Sequence, residues 1–194
     1  MEKIKIDIGG YTRPIAGEKK NGDAIFIHQQ EDICFFAVID GIGHGAPAFE
    51  ISQKIKAFIS QNFHTDISRL IQETHQHMLG SEGAALGIGT ILHNTLYFGS
   101  LGNITCRVIN DGNVTLLSTD GLLGVRGRTA KVSSRNLHDE DVILMYSDGV
   151  DSSFANEKFK NYHLFSSEIL AKKIIKQWGS IFDDASLIAV KIRK

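Results

Sequence analysis

The chain has 194 residues, 42% of them hydrophobic and 22% charged, and its formal net charge is -1. That is the size and balance of one globular domain, and a near-neutral chain with no basic run among aromatics offers no footprint for nucleic acid or an anionic membrane. No run approaches the roughly 20 apolar residues that cross a bilayer, and the first residues lack the apolar stretch of a signal peptide, so the cytoplasm is the expected compartment.

Ile4, Ile6 and Ile8 alternate with Lys3, Lys5 and Asp7, the period of a half-buried strand. A loop rich in Gly, Lys and Asn follows at 17–23, then strand-like runs at 24–28 and 33–39. The second run is almost wholly apolar and belongs in the middle of a sheet. Cys34 within it, like Cys106 further on, reads as a reduced, buried hydrophobe, not as half of a disulfide or a metal pair. Residues 40–45 (Asp-Gly-Ile-Gly-His-Gly) break the strand, and a helix beginning near Pro47 carries the stripe Ile51, Ile55, Phe58 and Ile59. Ile67, Leu70, Ile71 and Met78 mark a second helix.

From Ala84 the period returns to two, with strands expected at 84–92, 95–101, 104–109 and 114–117 and a hairpin turn at Asp111-Gly112. Residues 142–146 form another buried strand, ending at Ser147-Asp148-Gly149. Leu170, Ile174 and Trp178 mark a late helix, and a strand at 185–192 follows Asp183-Asp184. No repeat or low-complexity linker divides the chain. One α+β domain covering 1–194 is expected, its strands antiparallel and a helix pair inserted after the early ones.

The recurring device is an apolar strand bounded by an aspartate. Asp40 follows 35–39, Asp148 follows 142–147, Asp23 precedes Ala24, and Asp183 stands just before Ala185. Carboxylates on rigid strand ends suit hard cations such as Mg²⁺ or Mn²⁺. Like charges gathered at one end of a core repel unless a cation lies between them. The glycines after Asp40 and Asp148 permit close backbone approach, so Gly41 is able to lend a carbonyl oxygen.

Asp-Gly is also a favoured turn dipeptide, and the chain has four, at Asp40, Asp111, Asp120 and Asp148. Asp111-Gly112 belongs to that class. Residues 40–45 are too glycine-rich for a simple turn. Gly41 to Ala46 also satisfies the dinucleotide-binding pattern G-x-G-x-x-A. Against that reading, Asp40 would stand beside a pyrophosphate, and no strand ending in an acidic residue follows some 20 residues on.

Asn21-Gly22-Asp23, residues 40–45, Gly102-Asn103, Ser147-Asp148-Gly149 and Asp183-Asp184-Ala185-Ser186-Leu187 resemble, in order, the motifs of PP2C-like phosphatases of the SpoIIE branch. The resemblance spans about Gly17 to Lys191. The short length is similar to the RsbX type, feedback phosphatases that remove phosphate from serine or threonine of STAS-domain proteins in bacterial stress-signalling complexes (stressosomes). It implies a β-sandwich of two antiparallel sheets flanked by α-helices. It further implies two Mn²⁺ or Mg²⁺ ions bridged by Asp40, with Gly41 lending its carbonyl to one and Asp148 and Asp183 binding the other. Asp23 matches an acidic position near the metals. In this family a water activated by the two ions is the nucleophile, and no side-chain nucleophile is used.

The chain departs from the wider PP2C pattern in two places. Glu18 stands where eukaryotic members place a phosphate-binding arginine, and Ile42 where they carry a histidine thought to protonate the leaving group. His44 is a candidate acid or an ordinary loop histidine. Arg126 and Arg128 either touch phosphate or substrate protein, or line a solvated loop. His64, His75 and His77 read as surface residues. Besides an active phosphatase, a phosphoprotein-binding adaptor on the same fold remains a distinct reading, and intact carboxylates weigh against it.

Overall fold

The computed structural model describes residues 4–30, 33–110, 113–125, 129–155 and 162–193. Asp111-Gly112, Arg126 and Arg128 lie outside the described residues. In chain order the elements are β1 (Lys5–Arg13), β2 (Asp23–Gln30), β3 (Ile33–Gly41), α1 (Gly45–Asn62), α2 (Ile67–His77), β4 (Ala84–Leu92), β5 (Thr95–Leu101), β6 (Thr105–Ile109), β7 (Val114–Leu116), β8 (Val132–Asn136), β9 (Val142–Tyr146), α3 (Ser167–Trp178) and β10 (Ala185–Arg193). They form two five-stranded sheets, ordered β1-β10-β9-β6-β7 and β2-β3-β4-β5-β8. Every pairing between these strands is antiparallel. The expected α+β sandwich is what the sequence folds into. The expected strands and helices are all present, and β8 is an addition the residue pattern did not signal.

Strand parity explains the layers. In β3, Phe35, Ala37 and Ile39 face outward onto Ile51, Ile55 and Ile59 of α1 and Ile67, Leu70 and Ile71 of α2. Phe36 and Val38 face the other way and meet Ile143 and Met145 of β9 and Ile188 and Val190 of β10. A strand buried on both faces has no use for alternation, so the run at 33–39 is continuous apolar. On the far side Leu144, Tyr146, Leu187 and Ala189 pack under Leu170, Ala171, Ile174 and Ile175 of α3. The order is therefore helices, sheet, sheet, helix.

The same parity fixes which side chains reach one end of the inner core. Asp23 shares the inner face of β2 with Ile25 and Ile27, and Asp40 shares that of β3 with Phe36 and Val38. Ser147, one step beyond β9, and Ser186 of β10 continue the inner faces that carry Met145 and Ile188. An apolar interior thus ends in a polar patch. The dinucleotide reading fails here, because β3 lies between two antiparallel neighbours and belongs to no parallel β-α-β unit.

Candidate active site

Asp40, Asp148 and Asp183 come together as the acidic part of one open cleft of about 660 Å³. Its other lining includes Ile42, His44, Asn103, Asp120, Leu122 and Phe182. Each acidic residue arrives on a fixed backbone. Asp40 is half-buried at the end of β3, paired on one side with Asp23 and on the other with Ala85. Asp148 sits in the turn after β9. There the Ser147 N–H donates to Ser186 O, and Gly149 O accepts from the N–H of Ser180. A Cβ on Gly149 would collide with the backbone carbonyl of Asp184, so glycine is what lets this turn lie against the start of β10.

Asp183 and Asp184 have separate tasks. Asp184 is buried, and its two oxygens accept from the N–H of Ile15 at 2.8 Å and of Gly22 at 2.9 Å, tying the loop before β2 to β10. Asp183 stays half-exposed on the cleft, with Oδ1 accepting from the Asp184 N–H at 2.9 Å. Asn103, quoted in the sequence only as part of a motif, donates from Nδ2 to Asp148 Oδ2 at 2.6 Å.

Asp23 and Gly41 lie off the cleft lining. Asp23 is 3% exposed and accepts at Oδ2 from Ser147 Oγ at 2.6 Å, while Ser147 Oγ accepts in turn from the Ser186 N–H at 3.0 Å. This link bridges the two sheets. Gly41 is buried, its N–H donates to Gly22 O at 3.2 Å, and a Cβ there would meet Ala48 O at 2.5 Å. Its role is close packing of the loop on α1, whatever else its carbonyl does.

Burial pushes the carboxyl of Asp40 up to about 9, helped by the charges of Asp23, Asp148 and Asp183. Burial likewise raises Asp23, to about 7, against the opposing hydrogen bonds of Ser147 and Ser186. Asp183 is also raised, by partial burial first and then by the charge of Asp148. Among the described residues no lysine or arginine forms an ion pair with these carboxylates. Nor, among the described residues, does any group of three or more His, Cys, Asp or Glu side chains stand ready to hold a metal as the side chains lie. Asp148 is turned to Asn103 and Asp183 to its neighbouring amide.

The remaining candidates separate clearly. His44 lines the cleft, 62% exposed, with Nδ1 3.5 Å from the Glu18 carboxylate, which is itself 42% exposed. Glu18 therefore lies at the rim beside His44. His64 pairs with Glu73, and His77 stacks on Phe58. His75 Nδ1 accepts from the N–H of Gly124, in the segment that leads out of the cleft wall. Burial drives both thiols up, Cys34 to about 12, so neither serves as a thiolate nucleophile.

A two-sheet sandwich carrying a carboxylate cleft at the loops where strands end is the architecture of the PP2C-like protein phosphatases, the fold of metal-dependent serine/threonine phosphatases. The family model for stage II sporulation protein E (SpoIIE) matches residues 30–193, and the chain belongs to that family. A search of curated protein sequences gives no match. Among solved structures, a chain from the bacterial stressosome, described as a modular system adapted to control secondary messenger signalling, superposes with a TM-score of 0.89 at 26% identity, covering 96% of this chain and 99% of that one. RsbX in complex with magnesium gives 0.83 at 21% identity, covering 96% and 95%. The PP2C phosphatase domain of SpoIIE from Bacillus subtilis, with a fragment of its regulatory domain, gives 0.81 at 18%, covering 98% and 64%.

Proposed function

We propose that the chain, as one phosphatase domain covering 1–194, hydrolyses phosphoserine or phosphothreonine on a signalling partner in the cytoplasm. The divalent cations are held by Asp40, Asp148 and Asp183 with the Gly41 carbonyl, and Asp23 supports the set from across the β2–β3 ladder. The observation that carries this reading is the gathering of Asp40, Asp148 and Asp183, with Asp120, on one cleft, with no ion pair to lysine or arginine among the described residues. Asp40 and Asp183, raised by burial and by neighbouring carboxylate charge, belong to a donor set short of positive charge, and hard oxygen donors favour Mn²⁺ or Mg²⁺, two ions being expected.

When bound, the ions supply charge that acidifies water and offsets the charge on the phosphoryl oxygens. The residues of the chain do the positioning. Asp40 is fixed by its two ladder neighbours, and Asn103 holds one oxygen of Asp148. Asp184 pins the loop before β2 to the segment that leads into β10. His44, which lines the cleft, is the candidate to give a proton to the departing serine oxygen, and an ordinary loop histidine is the other reading.

The likeness to a stressosome chain and to RsbX supports a STAS-domain stress regulator as the phosphorylated partner. Incubating the purified protein with such a phosphoprotein and Mn²⁺ should release phosphate, and release should stop with EDTA and in Asp40→Ala or Asp148→Ala. If every phosphorylated candidate survives Mn²⁺ untouched, the reading fails. Calorimetric titration then decides for the adaptor if no Mn²⁺ binds at micromolar to millimolar concentration.

A further inference from the structure

The cleft has apolar walls as well as an acidic floor. Phe182 is 83% exposed, the most exposed of the large hydrophobic side chains among the described residues, and it stands immediately before Asp183. Ile42, 46% exposed, lines the same cleft, and Ile15 and Leu122 add to the walls. A single exposed aromatic is ordinary on a protein surface, but Phe182 and Ile42 share one cleft with the carboxylates, and covering a large apolar side chain fully is worth roughly 1.5–3 kcal/mol.

The backbone here is held on both sides. Phe182 N–H donates to Ser180 Oγ at 3.1 Å, Ile181 O accepts from the Ala16 N–H at 3.2 Å, and Asp184 is held through both oxygens. Arg13 donates to Ser180 O as well. Ile42 is fixed by its N–H, which donates to Gly83 O at 3.1 Å. The backbone that carries these two lining residues is therefore held in place at the cleft.

Size and charge say what fits between them. About 660 Å³ falls in the range of about 300–1,000 Å³ that encloses drug-sized ligands, so the cleft takes several residues of a substrate chain and not a phosphate alone. Asp120 and Glu18 add negative charge near the rim, which disfavours acidic flanks on an incoming segment. Apolar walls above an acidic floor complement a segment whose phosphoserine is bordered by a large apolar residue.

Resting on the phosphatase reading above, we propose that Phe182 and Ile42 determine substrate choice, gripping an apolar side chain adjacent to the phosphoserine of a protein substrate. The experiment uses three fluorescent phosphoserine peptides, flanked by leucine, glycine or glutamate, with the full chain and Mn²⁺. Wild type should show kcat/KM about tenfold higher for the leucine-flanked than for the glycine-flanked peptide, mostly through KM, and lower still for the glutamate-flanked one. Phe182→Ala and, separately, Ile42→Ser should shrink the leucine preference toward unity, while Phe182→Leu keeps most of it. Equal kcat/KM for leucine- and glycine-flanked peptides in wild type, or a preference unchanged in both Phe182→Ala and Ile42→Ser, overturns the proposal. Fluorescence polarisation of the same peptides separates it from the underlying reading. A binding preference that Phe182→Ala abolishes, without hydrolysis of any peptide, sustains the clamp and removes the phosphatase. Loss of both preference and hydrolysis removes both.

Discussion

Asp23 and Asp40 are direct partners across the β2–β3 ladder, both on the inner face of the sheet, and the two carboxyl groups meet different fates. Asp23 is buried and bonded to Ser147 Oγ; Asp40 opens onto the cleft. Like charges directly opposite in a sheet are destabilising. The fold tolerates the pair because Ser147, from the other sheet, takes up one of them and because burial and neighbouring charge raise the other so that it holds a proton.

Ser147→Ala tests the first half of that arrangement. It leaves the buried Asp23 carboxyl without the hydroxyl donor and the Ser186 N–H without its acceptor. Losing a hydrogen bond to a charged buried group costs about 2 kcal/mol. Chemical denaturation of metal-free protein at neutral pH should show that loss. A midpoint equal to wild type would mean that the inter-sheet link contributes nothing to stability.

The second half predicts an inverted pH dependence. In the unfolded chain these carboxyls titrate near 3.8; in the fold Asp23 is raised to about 7 and Asp40 to about 9. A raised acid binds its proton more tightly in the native state, so the native state holds more protons between those values. Stability of the metal-free protein is then greatest near or below pH 4 as far as these two groups are concerned. It falls as pH rises through 7 and toward 9. Asp40→Asn should flatten the upper part of the slope. Saturating Mn²⁺ should reverse it, since cations compete with the protons. Melting temperatures in EDTA and in Mn²⁺ across pH 5–9 read this directly, and parallel curves in the two media would contradict it.

What was legible in the sequence follows from the same physics. Apolar runs that stop at an aspartate announce a core ending in a charge, and Asp40, Asp148 and Asp183 were readable for that reason. The strand β8 was not, because Val132–Asn136 pairs with β5 alone at a sheet edge and carries the polar sequence VSSRN. Ser147 and Asp23 are 124 residues apart, and nothing in the period of either strand reveals that their side chains meet. Phe182 carries no signal in the pattern either, and its exposure is visible only in the fold.

Asn103 offers a test of the cleft that leaves the proposed ligands in place. Its Nδ2 donates to Asp148 Oδ2 at 2.6 Å, engaging one of the two carboxylate oxygens. Groups that orient metal-binding side chains typically matter by about 10–100-fold in affinity or activity. Asn103→Ala should weaken Mn²⁺ binding within that range in calorimetry, with little change in melting temperature because the residue is exposed. Asn103→Asp should weaken it differently, adding charge but removing the donor. Unchanged Mn²⁺ affinity in Asn103→Ala would show that Asp148 needs no such orientation, or that it is no ligand.

Gly149→Ala links the fold to the site most directly. The added Cβ would run into the backbone of Asp184, so either the turn carrying Asp148 or the segment before β10 that carries Asp183 must move away. Overpacking of this kind costs about 1–3 kcal/mol. The displacement acts on both carboxylates at once, so Mn²⁺ affinity and phosphate release should fall together and by more than stability alone explains. Ile143→Val, a buried truncation between the sheets costing about 1 kcal/mol, supplies the comparison. If the two variants lose stability equally and retain equal Mn²⁺ affinity, the close approach at Gly149 serves packing and not the cleft. A larger loss of affinity in Gly149→Ala assigns the glycine to holding the two acidic segments at working distance.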